Sequence, residues 1–242
     1  MVVLKNVGVY QVGKEDMKKV HVEVWSDFVC PWCWIAKRRF EAAVDLLSNQ
    51  VEVVATAKSY RLARGMPPMD FKTTLHKKFG NQAAADRMMA AVGQAGSSEG
   101  LLYNFDSMLF GDTTAAHILV KSILHPEIAE KMSERLFKAA TTDGIDIFNR
   151  RTLLALAQEM GIGDMKIEFD SPEILSSIAQ DEFQANQISN GVPLFLFNGK
   201  SYLSGAQDVT VFQQALLQAS TNVMSDAASG NGESCGIDGC TS

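Results

Sequence analysis

Cys30-Pro31-Trp32-Cys33 follows the alternating run Val22-Glu23-Val24-Trp25 and precedes Trp34-Ile35-Ala36-Lys37-Arg38-Arg39-Phe40, so the pair sits where a strand hands over to a helix. A helix start leaves backbone N–H groups without intrahelical partners and carries partial positive charge, which favours a thiolate placed there. The thiolate is the nucleophilic form of cysteine. A second sulfur two residues further on can close a small disulfide ring, which lets Cys30 attack a substrate disulfide and Cys33 release the mixed disulfide. Pro31 suits the first helical turn, where its missing N–H is no loss. The same spacing also fits half of a zinc site, with Cys235 and Cys240 as the other half. Zinc pairs usually sit on knuckle-like turns, whereas this pair opens an amphipathic helix, so the context points to a redox dithiol.

The rest of the chain sets the frame for that chemistry. Its 242 residues are 46% apolar with a net charge of −6, which suits one large or two modest globular domains and argues against a nucleic-acid partner. No apolar run approaches the ~20 residues needed to cross a bilayer. Residues 1–20 show no continuous apolar segment and no small-residue cleavage site, so a secretory signal is not expected. Four cysteines are too few to staple a secreted domain, and the chain is long enough to bury a core without them. The expected compartment is reducing and cytoplasmic, where Cys30 and Cys33 would often rest as the dithiol.

Along the chain, Val2 to Tyr10 reads as a short extra strand and Gln11 to Lys19 as a polar connector. His21 to Ser26 alternates as a central strand, Trp34 to Leu47 carries apolar residues near helical spacing, and Val51 to Ala57 is β-branched. Together they predict a β-α-β unit. Gly65-Met66-Pro67-Pro68-Met69 interrupts regular structure, and Asp70 to about Gln180 is helical in texture throughout. Asp112 is the expected cap of a helix over Thr113 to Leu124, and Ser171-Pro172-Glu173 opens another. Strand texture returns at Val192 to Phe197, turns at Asn198-Gly199 and continues through Tyr202-Leu203-Ser204, with a closing helix over Val209 to Ala219. Ser225 to Gly232 has linker composition and leads to Cys235-Gly236-Ile237-Asp238-Gly239-Cys240. The first and last pieces share one sheet only if the helical part is an insertion.

A βαβ unit bearing C-x-x-C, a helical insertion and a ββα unit entered through a proline resembles the thioredoxin fold as elaborated in the DsbA family. Within it the chain most resembles the FrnE-like branch, related to 2-hydroxychromene-2-carboxylate isomerases and kappa-class glutathione transferases. The matching stretches are Asp27 to Cys33, Ala115-Ala116-His117, Leu136-Phe137-Lys138-Ala139, Gly191-Val192-Pro193-Leu194-Phe195 and Gly205-Ala206-Gln207. The resemblance implies an α/β thioredoxin-like domain over 1–62 and 183–222, a helical insertion over 63–182, and a tail over 223–242 with a second redox pair, Cys235 and Cys240. It also implies a cis bond between Val192 and Pro193 facing Cys30. The activity it implies is reduction or isomerisation of protein disulfides, with no bound cofactor and with glutathione or a thioredoxin system as electron donor. Oligomeric state is left open. Two alternatives remain: a metal-binding protein using all four cysteines, and a glutathione-dependent isomerase or transferase. Those isomerases carry serine where this chain has Cys30, which weighs against the second.

Further candidates surround the motif. Trp32 is expected to point outward and stack over the sulfur. His117 is expected to be either a packed, hydrogen-bonded residue or part of the substrate cleft. Asp27 is a candidate helix cap or proton relay. Lys37, Arg38 and Arg39 read as a solvated charged face, Met88 and Met89 as core, and Met66 and Met69 as an adaptable apolar groove for clients.

Overall fold

Val20 and Val22 are fully buried on the central strand of a four-stranded sheet, and every other element is placed by reference to that strand. In the computed structural model, residues 17–221 are described, together with the backbone of Ser234–Gly236 and Gly239–Thr241. The strand expected over Val2 to Tyr10 and the linker over Ser225 to Gly232 lie outside them.

Strand β1 (Lys18–Ser26) runs parallel to β2 (Val51–Ser59), with Val22 opposite Ala55 and Val24 opposite Ala57. Lys18 and Lys19, expected in a connector, are ladder residues because Val51 and Glu52 pair with them. A parallel pair requires a crossover, and helix α1 (Pro31–Leu46) supplies it. Strand β5 (Leu194–Phe197) pairs antiparallel on the other side of β1, and β6 (Ser201–Ser204) completes the order β2-β1-β5-β6. The hairpin between β5 and β6 turns on Asn198 (φ 49) and Gly199 (φ 68), both left-handed, as a tight two-residue turn demands. Asn198 also accepts from the His21 N–H at 2.9 Å and donates to Ala219 O at 3.0 Å, tying the turn to β1 and to helix α8 (Val209–Thr221). Helix α8 packs against α1. Phe40, Phe195 and Phe212 interlock there with centroids 4.7–5.6 Å apart, each buried ring contributing about 1.5–3 kcal/mol.

Six helices fall between β2 and β5: α2 (Phe71–Phe79), α3 (Gln82–Ser98), α4 (Thr114–Ser122), α5 (Pro126–Thr141), α6 (Arg150–Glu159) and α7 (Pro172–Ile188). The helical texture expected across the whole of this stretch is interrupted. Gly80 is left-handed (φ 60) and separates α2 from α3, where the Asn81 side chain accepts from the Ala83 N–H at 2.9 Å. Residues 99–113 are not helical and contain β4 (Leu109–Phe110), paired antiparallel with β3 (Met69–Asp70). Gly111 makes that approach feasible, since a Cβ there would meet Pro68 Cα at 2.9 Å. The N-cap of α4 is Thr113 and not the expected Asp112, which lies one residue earlier and accepts from the Thr114 N–H at 2.9 Å. Ser171 caps α7, with Pro172 in its first turn.

Candidate active site

Cys30 is the N-cap of α1 and Pro31 its first residue. The loop before it is held by its own backbone: Cys30 N–H donates to Asp27 O at 3.1 Å, and Cys33 N–H donates to Cys30 O at 3.1 Å. Both cysteines are free thiols and both are buried. The Cys30 thiol donates to Val192 O at 3.8 Å, and the Val192–Pro193 peptide is cis. Cys30, Val192 and Pro193, distant in sequence, therefore meet in one site.

Trp32 departs from expectation. It is 1% exposed, and its indole N–H finds no acceptor among the described residues. Burial of so large an apolar surface outweighs one unmade hydrogen bond. Tyr103 was not anticipated at all. Its hydroxyl donates to Pro31 O at 2.8 Å, and its ring meets Trp34 edge-on at 6.0 Å. Burial first, then the neighbouring sulfurs, raises the Tyr103 phenol, so it stays protonated and able to donate. Gly96 on α3 makes room for the ring: a Cβ there would lie 2.3 Å from Tyr103 Cε2. Tyr103 lies in the irregular 99–113 segment, where no periodicity announces a role.

Cys33 lies deeper. Burial pushes its thiol well above the ordinary value, the adjacent Cys30 adds to the rise, and the Asp27 backbone N–H beside the sulfur opposes it. Asp27, fully buried, does not cap α1 with its side chain, which makes no cap hydrogen bond. Instead its carboxylate accepts from the Leu62 N–H at 2.7 Å and from the Thr113 hydroxyl at 2.7 Å. His117 approaches the same carboxylate at 3.7 Å, and its Nε2 lies 3.1 Å from Tyr60 O. A carbonyl only accepts, so Nε2 carries the proton. His117 meets both expectations: it is packed and hydrogen-bonded, and it lines a crevice together with Cys33 and Pro193.

The basic run beyond the motif is not a solvated face. Lys37 pairs with Glu41 and with Glu130 at 2.6 Å, Arg38 with Glu134, and Arg39 with Glu99 at 2.8 Å, while Arg39 also donates to Ala206 O at 2.8 Å. Their charges are spent on cross-links between α1 and its surroundings. Met88 and Met89 are core residues, whereas Met66 in the loop is 40% exposed and Met69, in β3, is half-buried.

In the tail, β7 (Ser234–Gly236) and β8 (Gly239–Thr241) form a hairpin whose register sets Cys235 directly opposite Cys240. The backbone of β7 lies against α1. Among the described residues no three His, Cys, Asp or Glu side chains converge as a metal site, and no helix is long and apolar enough to cross a membrane.

Among solved structures the chain is similar to a probable DsbA oxidoreductase from Streptomyces coelicolor, with 28% identity and a TM-score of 0.73 over 92% of this chain and 99% of that one. It is also similar in fold to a 2-hydroxychromene-2-carboxylate isomerase (15% identity, TM-score 0.60, 85% of this chain and 100% of that one). A third neighbour is the cytosolic disulfide reductase DsbM from Pseudomonas aeruginosa (17% identity, TM-score 0.56, 83% and 95%), whose structure is also known with GSH. No curated protein matches the chain by sequence. The family of DSBA-like thioredoxin domains matches residues 21–217, nearly all of the sheet, the inserted helices and the dithiol; the chain belongs to that family.

Proposed function

We propose that the protein is a cytoplasmic thiol–disulfide oxidoreductase that reduces or isomerises disulfides of protein substrates through Cys30 and Cys33. The observation that carries this reading is the meeting of two free, adjacent thiols at a helix start with the Val192 carbonyl, 3.8 Å from Cys30 Sγ. Cys30, as thiolate, attacks one sulfur of a substrate disulfide; an S–S bond forms to Cys30, and the other substrate sulfur leaves as thiolate and takes up a proton. Cys33 then gives up its proton and attacks Cys30 Sγ, closing the Cys30–Cys33 disulfide and releasing the first substrate sulfur as thiolate. The high proton affinity of buried Cys33 keeps it from competing in the first step. Attack on the mixed disulfide by a different substrate thiolate, which forms the new substrate S–S bond and releases Cys30 as thiolate, gives isomerisation.

Two electrons must return to the Cys30–Cys33 disulfide after each reduction. Glutathione or a thioredoxin system supplies them, and the existence of a similar fold solved with GSH supports glutathione. Cys235 and Cys240, opposed on a hairpin beside α1, serve as a second dithiol that passes electrons to the first by exchange.

Insulin reduction and scrambled-ribonuclease refolding test the proposal, using wild type, Cys30→Ser, Cys33→Ser and the Cys235→Ser/Cys240→Ser pair. Cys30→Ser should lose both activities, and Cys33→Ser should accumulate mixed disulfide. Full activity in Cys30→Ser would sink the mechanism. Unaltered turnover and reduction potential in the double-serine protein would remove the tail from it.

A further inference from the structure

A crevice of about 180 Å³ opens between the sheet, α1 and the inserted helices. Val24 of β1, Phe40 of α1 and Phe137 of α5 line it, together with Ala55 and Ala57 of β2, which are solvent-exposed. Cys33 and Pro193 belong to its lining, and Cys30 does not. It therefore meets the dithiol at the resolving sulfur, on a different side from the Val192 carbonyl that receives the Cys30 thiol.

The sequence of β2 makes this space. Val51, Val53, Ala55 and Ala57 share one face of the strand by the two-residue alternation, and the change from valine to alanine removes bulk over the last two. Alanine is poorly suited to strands, yet two occupy neighbouring positions on this one face of β2. The volume exceeds the ~150 Å³ apolar cavity that is known to take up benzene.

The rim carries charge that is already engaged. Lys37 is held by Glu41 and by Glu130 at 2.6 Å, Lys58 by Glu23 at 3.1 Å and Asp181 at 3.3 Å, and Lys121 by Asp181 at 2.7 Å. An anion entering between apolar walls would shed its hydration without gaining an unpaired cation. An uncharged molecule meets neither cost.

We propose that this crevice is a binding site for an uncharged apolar molecule of one or two fused rings, seated on Ala55 and Ala57 and reaching Cys33. Cys33 and Pro193 also belong to the protein-disulfide site, so the test reads binding directly and needs no activity measurement.

Indole is the probe, with indole-3-acetate as the anionic counterpart carrying the same ring. Binding is followed by ligand-detected NMR and by the rise in melting temperature, and methyl-labelled alanine reports the place. Indole should bind wild type and move the Ala55 and Ala57 methyl signals. Ala57→Leu and Ala55→Leu, which fill the crevice, should each weaken it at least about tenfold, and indole-3-acetate should bind wild type at least about tenfold more weakly. Absence of indole binding overturns the proposal. So do alanine methyls that stay still on indole addition, unchanged binding in a folded leucine variant, or indole-3-acetate binding as tightly as indole. The methyl signals decide the matter in wild-type protein even where a leucine variant fails to fold.

Discussion

Asp27 holds the approach to the active-site helix in place through two buried donors, the Leu62 N–H and the Thr113 hydroxyl. Asp27→Ala orphans both, each at about 1–3 kcal/mol, so urea unfolding should show a loss of about 2–5 kcal/mol. Thr113→Val removes one donor and leaves the Leu62 bond, and its loss should be smaller, about 1.5–3 kcal/mol for a single bond to a charged group. Equal losses in the two variants would show that the carboxylate matters for some other reason. Cys33 gives a pH signature. Its folded thiol is raised by burial, so below the ordinary thiol range of about 8.5 both folded and unfolded chains keep the proton and stability is at its full value. As pH climbs through that range the unfolded chain ionises while folded Cys33 stays protonated, and stability falls until the folded group also titrates. Urea midpoints measured from about pH 7.5 to pH 10 should decline more steeply in wild type than in Cys33→Ala. Parallel curves would contradict the assignment.

At the scale of elements, α3 acts on the dithiol through the segment that follows it. Gly96 gives Tyr103 the space to donate to Pro31 O. Gly96→Ala forces the ring away, at about 1–3 kcal/mol of overpacking. Alkylation of Cys30 should accelerate while overall helicity is kept, and an unchanged alkylation rate would show that Tyr103 does not help to cover the site. The crossover from β2 is pinned in a comparable way, by the Arg61–Glu182 pair that joins it to α7, with Arg61 also donating to Thr114 at 2.8 Å.

These two attachments mark where sequence reading was strong and where it stopped. β1, α1, β2, the Asn198-Gly199 hairpin and α8 were legible because alternation, helical spacing and turn chemistry all act locally. The meeting of Cys30 with Val192 and Pro193 was legible through the resemblance alone. β3 and β4 are two residues each and carry no period. Burial of Trp32 and of the basic run on α1 depends on which helices the insertion brings over α1, which is a tertiary fact. Tyr103 and the Asp27 donors come from loops, where contact follows from backbone path and leaves no pattern in the residues themselves.

Over the whole molecule, one hydrophobic core links the sheet to the insertion, running from Val20 through Phe137 to Leu216. Helix α8 closes it late in the chain with Phe212 and Leu216, both fully buried. A chain ended after residue 208 leaves Phe40 and Phe195 open on the sheet face that Phe212 fills, and Phe→Ala at one such site already costs about 3–5 kcal/mol. Against a total stability of about 5–15 kcal/mol, the shortened chain should show no cooperative urea transition. A sharp transition near the wild-type midpoint would show that the core closes without α8. The central position of β1 has a further consequence during synthesis. Its two neighbours are β2 and β5, so one edge of β1 stays unpaired until Phe197 has been made. At about 5–20 residues per second the stretch 60–193 needs on the order of ten seconds to emerge. Throughout that interval Cys30 has no Val192 carbonyl to meet, and the nascent chain presents its two thiols to the cell before it has the fold that governs them.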